Sequence, residues 1–401
     1  MINRMGAMLL TAVCLTAPFA VGAKAAEVEH AEAKPAIATP MIAPRPAVLD
    51  DIRSLFALQD RVAAGHQDAA KLQKAMLARI NGEMSEAVLK SQPNVLAPEI
   101  TGYLLSGGDP RVAEMLAEVA GLEPRYRPLL KGAALYTRGS REEAEAQLRK
   151  VDALLLPPQI GGRVALAQAM LATENDFEKQ RLLMIAAAAM PGSLIEESAL
   201  RRSALAYAES GNQKAFWVRA ERYGRRFPRS LYAAEFMHEV VVRIVRFEAS
   251  GKKPDLPRLD RFLGTVNIAG RRQLYLGLAR QAALKNLAPL TAFAAKRLRR
   301  ISAPDSAEAQ LASLYDSLLE VVTEHSELSL QNLAAIDPRL LPLLERGLLA
   351  AGIAVARQIQ DPVATAAIEG DFASPDIEKS SLEKRAELIL AQADQLIRET
   401  Q

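Results

Sequence analysis

The side chains that could carry acid–base or metal chemistry are few, and their spacing suits neither. The chain of 401 residues has four histidines and one cysteine, and no two histidines lie three or four residues apart. The sequence has no H-E-x-x-H, G-x-S-x-G, Walker or G-x-G-x-x-G motif. His238 lies between Glu235 and Glu239, where a solvated helical histidine is the favoured interpretation. The sequence therefore predicts no cofactor, no metal site and no enzymatic activity.

Three short strings resemble functional motifs and need a structural alternative. Glu196-Glu197-Ser198-Ala199-Leu200 is similar to the catalytic Glu-Ser of soluble lytic transglycosylases, but the Gly-Leu-Met-Gln stretch of those enzymes is missing. Acidic residues in the first turn of a helix are the simpler interpretation of the pair Glu196 and Glu197. Gly107-Gly108 and Gly161-Gly162 are interpreted as turns rather than phosphate-binding loops.

The first 25 residues have the layout of a secretory signal peptide. Arg4 precedes a stretch without charged residues from Gly6 to Gly22, and Ala23-Lys24-Ala25 follows as a small-x-small cleavage site. Residues 26–47 contain four prolines among many alanines and predict a flexible tether. We therefore expect an exported protein that is cleaved near Ala25, with no membrane-spanning segment in the mature chain.

The remaining sequence predicts an all-α protein. Half of the residues are hydrophobic, which excludes a disordered chain, and they recur at helical spacing in roughly sixteen to eighteen segments. Turns at Gly139, Asn175 and Gly211 are 36 residues apart, close to the tetratricopeptide period of about 34. The pattern predicts a tetratricopeptide-like solenoid of antiparallel helix pairs over 48–379, with an irregular bundle as the alternative. A last helix, 380–401, follows.

Positive charge is concentrated between residues 200 and 300, which hold 22 lysines and arginines against seven acids. Since nucleic acid is not expected outside the cytoplasm, an acidic protein or the anionic cell wall is one interpretation of this segment. Packing against the acidic segments of the chain itself is the other. Trp217, the only tryptophan, is either an exposed anchor or a filler between repeats. The candidate partner-binding residues are Arg201, Arg202, Trp217, Arg222, Arg225, Arg226 and Arg229.

Five ordered segments resemble the MotC family of exported bacterial motility (chemotaxis) proteins. The likeness extends over about residues 50–320, and none of the segments is catalytic. The segments run from Arg53 to Asp60, from Tyr103 to Pro110, from Pro191 to Arg202, from Tyr223 to Ala233 and from Arg271 to Leu276.

This resemblance implies a periplasmic protein required for flagellar rotation. It further implies association with the periplasmic part of the stator subunit MotB. Peptidoglycan is a separate candidate partner. No ligand residues of the family are carried over to positions of this chain. The alternatives are a general periplasmic scaffold that binds peptidoglycan or envelope proteins and, third, a peptidoglycan lytic transglycosylase that uses Glu197.

Overall fold

A computed structural model describes residues 46–172 and 176–360, and all regular structure in these ranges is helical. They contain eighteen α-helices and two short 3₁₀ helices, and no strand. The predicted all-α class is therefore confirmed. The predicted signal peptide 1–25, most of the tether and the predicted last helix 380–401 lie outside the described residues.

The helices are numbered in chain order. The first nine are α1 (Val48–Ala63), α2 (Gln67–Glu83), α3 (Glu86–Ser91), α4 (Pro93–Leu104), α5 (Arg111–Ala117), α6 (Tyr126–Arg138), α7 (Arg141–Leu148), α8 (Pro158–Leu171) and α9 (Asp176–Ala189). The second nine are α10 (Leu194–Glu209), α11 (Gln213–Arg226), α12 (Ala233–Ala249), α13 (Leu256–Leu263), α14 (Ile268–Leu284), α15 (Ala288–Ile301), α16 (Ala307–Glu320), α17 (Ser326–Ala334) and α18 (Leu343–Gln360). The 3₁₀ helices are Ala153–Leu155 and Pro338–Leu340.

Consecutive helices pack as pairs at the positions where the sequence repeats. The pairs α6–α7, α8–α9 and α10–α11 have extensive contacts, and Gly139 and Gly211 end α6 and α10 with left-handed φ angles of +83° and +72°. A Cβ on Gly132 would lie 2.6 Å from Leu148 Cγ, so this glycine allows α6 to approach α7 closely. The predicted helical-repeat architecture is confirmed, although the turn at Asn175 lies outside the described residues.

Gly161 and Gly162 lie inside α8, so the interpretation of this pair as a turn is wrong. The reason is a close backbone approach, because a Cβ on Gly161 would lie 2.3 Å from the carbonyl oxygen of Ala153. Gly107, in contrast, has a φ of +95° in the turn after α4, as predicted. A glycine inside a helix here permits packing rather than a change of chain direction.

The core has two large parts, and α10 contributes to both. Ile195 and Ala199 belong to the part built from α1 to α9, which we call the N-terminal core. Leu200 and Ala204, on the following turns, belong to the part built from α11 to α18, the C-terminal core. The helix α10 therefore joins the two.

The first helix does not stay with its sequence neighbours. Asp60, near the end of α1, accepts a hydrogen bond of 3.0 Å from the backbone N–H of Leu194, the first residue of α10. Gly65 lies against the turn after α11, where its Cβ would be 2.3 Å from the carbonyl oxygen of Arg229. In an ideal solenoid each repeat contacts only its neighbours, so α1 adds a long-range closure to this fold.

A buried arginine sits beside the same junction. Arg163 in α8 is 4% exposed, and its guanidinium carbon lies 3.8 Å from the centre of the Phe56 ring in α1. Burial lowers the pKa of Arg163 to about 10, although the charges of Asp60 and Glu99 oppose this shift. The cation thus stacks on α1 and lies near two carboxylates, Asp60 of the same helix and Glu99 of α4.

Buried tyrosines recur with a carboxylate and an arginine. In each of three sets the phenol donates a hydrogen bond to a carboxylate that also forms an ion pair, and the tyrosine is at most 1% exposed. Burial is the main cause that raises the pKa of each phenol, and the adjacent carboxylate adds to it. The sets are Tyr223–Glu197–Arg201, Tyr275–Asp260–Arg297 and Tyr315–Glu345–Arg280.

These phenols predict a loss of stability in alkali. Their pKa values are raised in the folded chain above the ordinary value of 10.0, so the unfolded chain releases these protons first. The contribution of these protonated phenols to the free energy of unfolding is therefore complete below about pH 10 and is lost as the pH rises above it. Urea unfolding followed by circular dichroism between pH 8 and pH 11 measures this. Tyrosinate absorbance from these three phenols before any loss of helix would contradict it.

The two kinds of helical glycine predict opposite effects of one substitution. Gly161→Ala should destabilise the chain by about 1–3 kcal/mol, because the new Cβ overlaps the Ala153 carbonyl. Gly277→Ala in α14 is the matched control, since nothing lies within 4 Å of its Cβ position. It should stabilise the chain by about 0.5–1 kcal/mol. The urea concentrations at the unfolding midpoints show whether each variant is more or less stable than the native chain. A stabilising Gly161→Ala would refute the close approach of Gly161 to the Ala153 carbonyl.

Candidate functional site

The candidate site is the stretch from α10 to the turn after α11, where the sequence placed its partner-binding residues. Ser193 caps α10, because its Oγ accepts hydrogen bonds from the N–H groups of Ile195 and Glu196 at 3.1 and 3.3 Å. Gly192 precedes it with a φ of +83° and donates its N–H to Glu196 Oε2 at 2.8 Å. This cap turns the first two acids of α10 inward.

Glu196 is fully buried and binds two arginines of α11. Its carboxylate contacts Arg222 at 2.9 Å and Arg226 at 2.6 Å, and both side chains are about two-fifths exposed. A fully buried carboxylate requires such partners, because an unpaired buried charge strongly destabilises the folded state. Two of the predicted partner-binding arginines therefore neutralise an acid of the chain itself.

Glu197 is also fully buried and lies between different partners. It accepts hydrogen bonds from Tyr223 Oη at 2.7 Å and Ser230 Oγ at 3.2 Å, and Arg201 Nε lies 3.4 Å from the same oxygen. Arg201 also lies over the Tyr232 ring, 5.0 Å from its centre. A general acid must reach its substrate. This environment is that of a carboxylate that holds α10, α11 and the following turn together.

Trp217 is 1% exposed, so its interpretation as an exposed anchor is wrong. Its ring centre lies 5.0 Å from that of Phe216 and 5.8 Å from that of Phe262 in α13. The helix α11 is covered by α10 on one side and by α13 on another, so it buries a wider arc than a single stripe. The alternative stated from the sequence, a filler between adjacent repeats, describes Trp217 in the structure.

The remaining candidates point outward. Arg202, Arg225 and Arg229 are exposed, and no ion pair joins them to a carboxylate within the described ranges. Arg202 contacts Ser198 Oγ at 3.4 Å, and burial of part of its side chain, together with the charge of Arg201, lowers the pKa of Arg202. The seven predicted residues thus divide into two sets. Arg201, Trp217, Arg222 and Arg226 have partners within the fold, and the smaller exposed set consists of Arg202, Arg225 and Arg229.

Two arginines of α13 lie beside the exposed set and were missed from the sequence: Arg261 is exposed, and Arg258 is partly buried. Glu221 in α11 accepts two hydrogen bonds from Arg258, at 2.6 and 2.8 Å. These bonds are the main cause that lowers the pKa of Glu221, and the charges of Arg225 and Arg261 lower it further. Three arginines therefore surround one carboxylate, and we call this group the α11–α13 basic surface. Their three-residue spacing in α13, with Arg258 before Arg261, was a signal available in the sequence.

Other possible sites offer less. A groove of about 920 Å³ lies between α7, α8 and α9, lined by Glu145, Arg149, Arg181 and Leu182 among others. His238 is exposed, and the described part of the chain holds no cluster of three or more residues suited to bind a metal. In the same part, none of the helices combines the length and the apolar character needed to cross a bilayer.

Comparison with known proteins gives one consistent result. The family model described as Chemotaxis protein MotC matches residues 2–400. Chemotaxis protein MotC of Rhizobium meliloti (strain 1021) is 28% identical over 320 residues, which is 78% of this chain and 72% of that protein. No solved structure matches.

The different surroundings of the two buried acids predict different losses of stability. Glu197→Ala should destabilise the chain by about 3–5 kcal/mol, because the buried Tyr223 hydroxyl and Arg201 lose their partner. Glu196→Ala should cost less, about 1–3 kcal/mol, because the half-exposed Arg222 and Arg226 regain water. Glu235→Ala, at an exposed position, serves as the control. Urea unfolding measures which variant loses more stability. Equal losses for Glu196→Ala and Glu197→Ala would refute the different surroundings described for the two acids.

Proposed function

The chain belongs to the MotC family of chemotaxis proteins, and from that premise we propose an exported, non-enzymatic protein of the periplasm that is required for flagellar rotation. The match over residues 2–400 supports a role in motility. Glu196 and Glu197 are both fully buried and bonded to side chains of the fold itself, which favours binding rather than catalysis at the candidate site.

The proposal of export rests on the beginning of the sequence. Arg4, the uncharged stretch from Gly6 to Gly22 and the sequence Ala23-Lys24-Ala25 together have the order of a secretory signal. On this proposal the signal is cleaved near Ala25, and residues 26–47 tether the helical domain. The sole cysteine, Cys14, then leaves with the signal.

The proposed partner is the periplasmic part of the stator subunit MotB. The observation that carries this proposal is the α11–α13 basic surface, where Arg225 and Arg261 are exposed around one shared carboxylate. Its formal charge of +2 would accelerate encounter with an acidic partner. Binding would favour the wall-bound, ion-conducting state of MotB only if the protein has a higher affinity for that state than for the other.

The second candidate is a general scaffold of the cell envelope that binds peptidoglycan, and the same basic surface favours it because the cell wall is anionic. The two proposals differ in what deletion of the gene should do. A motor protein predicts normal flagella on paralysed cells. A scaffold predicts altered cell shape or wall integrity in addition, and normal swimming would overturn the motor proposal.

Charge reversal on the basic surface tests the electrostatic part. Arg225→Glu with Arg261→Glu should slow association with the purified periplasmic part of MotB by about tenfold at low salt, because steering is lost. The double variant should also complement the swimming of the deletion strain poorly. Arg226 is unsuitable for this test, since its reversal would place a second carboxylate beside the buried Glu196.

The matched control is Arg127→Glu with Lys131→Glu, two exposed cations one turn apart on α6. This variant carries the same change in net charge and should bind and swim normally. Biolayer interferometry at two salt concentrations and thermal unfolding of each variant complete the comparison. Equal binding by both double variants would show that the basic surface is not the contact.

A further inference from the structure

The first two helices, α1 and α2, form an apolar groove that is open to solvent. The groove has a volume of about 410 Å³ and lies on the side of α1 opposite its buried residues. On α1 it is lined by Ser54, Ala57, Leu58 and Arg61. On α2 it is lined by Leu72, Ala75, Met76 and Arg79. We call this surface the α1–α2 face.

The helix α2 has little support from the rest of the fold. Of its 17 residues only Ala69 and Ile80 are buried, and within the described part of the chain it packs mainly on α1. Leu72, which lines the groove, is 48% exposed. Repeat arrays need a polar outer surface at their ends, and exposed apolar patches mark interaction sites. The α1–α2 face therefore has the character of a contact surface.

Both helices present a similar sequence pattern to the groove. In each, an aspartate is followed by an alanine next to a large apolar residue, and then by an arginine, and the α2 pattern lies 18 positions after the α1 pattern. The corresponding residues are Asp50 and Asp68, Ser54 and Leu72, Ala57 and Ala75, Leu58 and Met76, and Arg61 and Arg79. Because the two helices form an antiparallel hairpin, this repetition gives the face an approximate two-fold symmetry.

The charges of the pattern lie at the two ends of the groove. At the turn between the helices, Arg61 Nη2 lies 3.2 Å from Asp68 Oδ2. At the other end, Arg79 Nε lies 2.9 Å from Asp51 Oδ2. If a second copy packs with its helices antiparallel to these, the arginine of each helix lies over the acidic start of a helix in the other copy. Opposite charges then meet at both ends, which is the electrostatic complementarity of a specific contact.

The size of the face suits a weak dimer. The 16 residues of α1 are about 24 Å long, and two helices side by side are about 20 Å wide. Each copy would then cover about 500 Å², or about 1,000 Å² in total, which is close to the lower limit for a specific interface. Ala57 and Ala75 at the middle of the groove allow a second pair of helices to approach closely.

We propose that two copies of this chain associate through the α1–α2 face, so that the two hairpins form a four-helix bundle about a two-fold axis. A patch that contacts its own copy must be complementary to itself, and the repeated pattern with acid and arginine at opposite ends meets this requirement. The inference does not rest on the proposed partner. It places two α11–α13 basic surfaces on one particle, which would strengthen binding to a partner that offers two sites.

Sedimentation equilibrium of the purified protein tests the association. We expect a monomer–dimer equilibrium in the micromolar range. Ala75→Glu places a charge in the groove at a position that is exposed in the monomer. It should raise the dissociation constant of the dimer by about tenfold or more, because a charge buried without a partner is strongly destabilising. Ala70→Glu makes the same change on the opposite, exposed side of α2 and should leave the constant unchanged.

Three results of this experiment would overturn the proposal. The first is a native chain that stays monomeric throughout the micromolar range. The second is a dimer that Ala75→Glu does not weaken, and the third is equal weakening by Ala75→Glu and Ala70→Glu. Thermal unfolding of both variants shows whether the monomer keeps its stability.

Cysteine cross-linking locates the contact in a chain whose only native cysteine, Cys14, is replaced by serine. Ala57→Cys and Ala75→Cys are made separately. We expect disulfide-linked dimers from one of these variants alone or from a mixture of the two, and the productive combination shows which helices face each other. Ala70→Cys is the matched control. Cross-linking of Ala70→Cys as efficient as that of the groove variants would overturn the proposal.

Discussion

Two adjacent carboxylates buried at the start of α10 determine how the middle of this protein is built. Neither Glu196 nor Glu197 has any exposed surface, and a buried charge without partners would cost several kcal/mol. Each acid therefore fixes groups from elsewhere in the fold: Arg222 and Arg226 for the first, Arg201, Tyr223 and Ser230 for the second. Because α10 belongs to both parts of the core, this arrangement also sets how the N-terminal core meets the C-terminal core.

The same requirement divides the positive charge of residues 200–300 into two classes. Arg201, Arg222 and Arg226 belong to the fold, since they neutralise buried acids. Arg225 and Arg261 remain exposed and share a single carboxylate, Glu221, with Arg258. Self-neutralisation therefore describes the first class, and the proposal of an external partner concerns the second. The second class neutralises no buried acid, which makes it the better place to look for function.

Features that depend on neighbours in sequence were predictable here, and features that depend on distant contacts were not. Helical periodicity and the turns at Gly139 and Gly211 follow from local sequence, and the structure confirms them. The pairing of Glu196 with Arg226, 30 residues later, has no local signature. The sequence left two interpretations of Trp217 open for a related reason, because periodicity reports one buried stripe and says nothing of a second neighbouring helix such as α13.

The α11–α13 basic surface rests on well-packed aromatic residues, and this bears on its use in binding. Arg258 is held by two hydrogen bonds to Glu221, and its guanidinium carbon lies 5.8 Å from the centre of the buried Trp217 ring. Trp217 in turn packs against Phe262 of α13. A charged surface whose supporting side chains are already fixed loses less conformational entropy when a partner binds. On the proposal that this surface binds a partner, the buried Trp217 serves as the rigid base beneath Arg258.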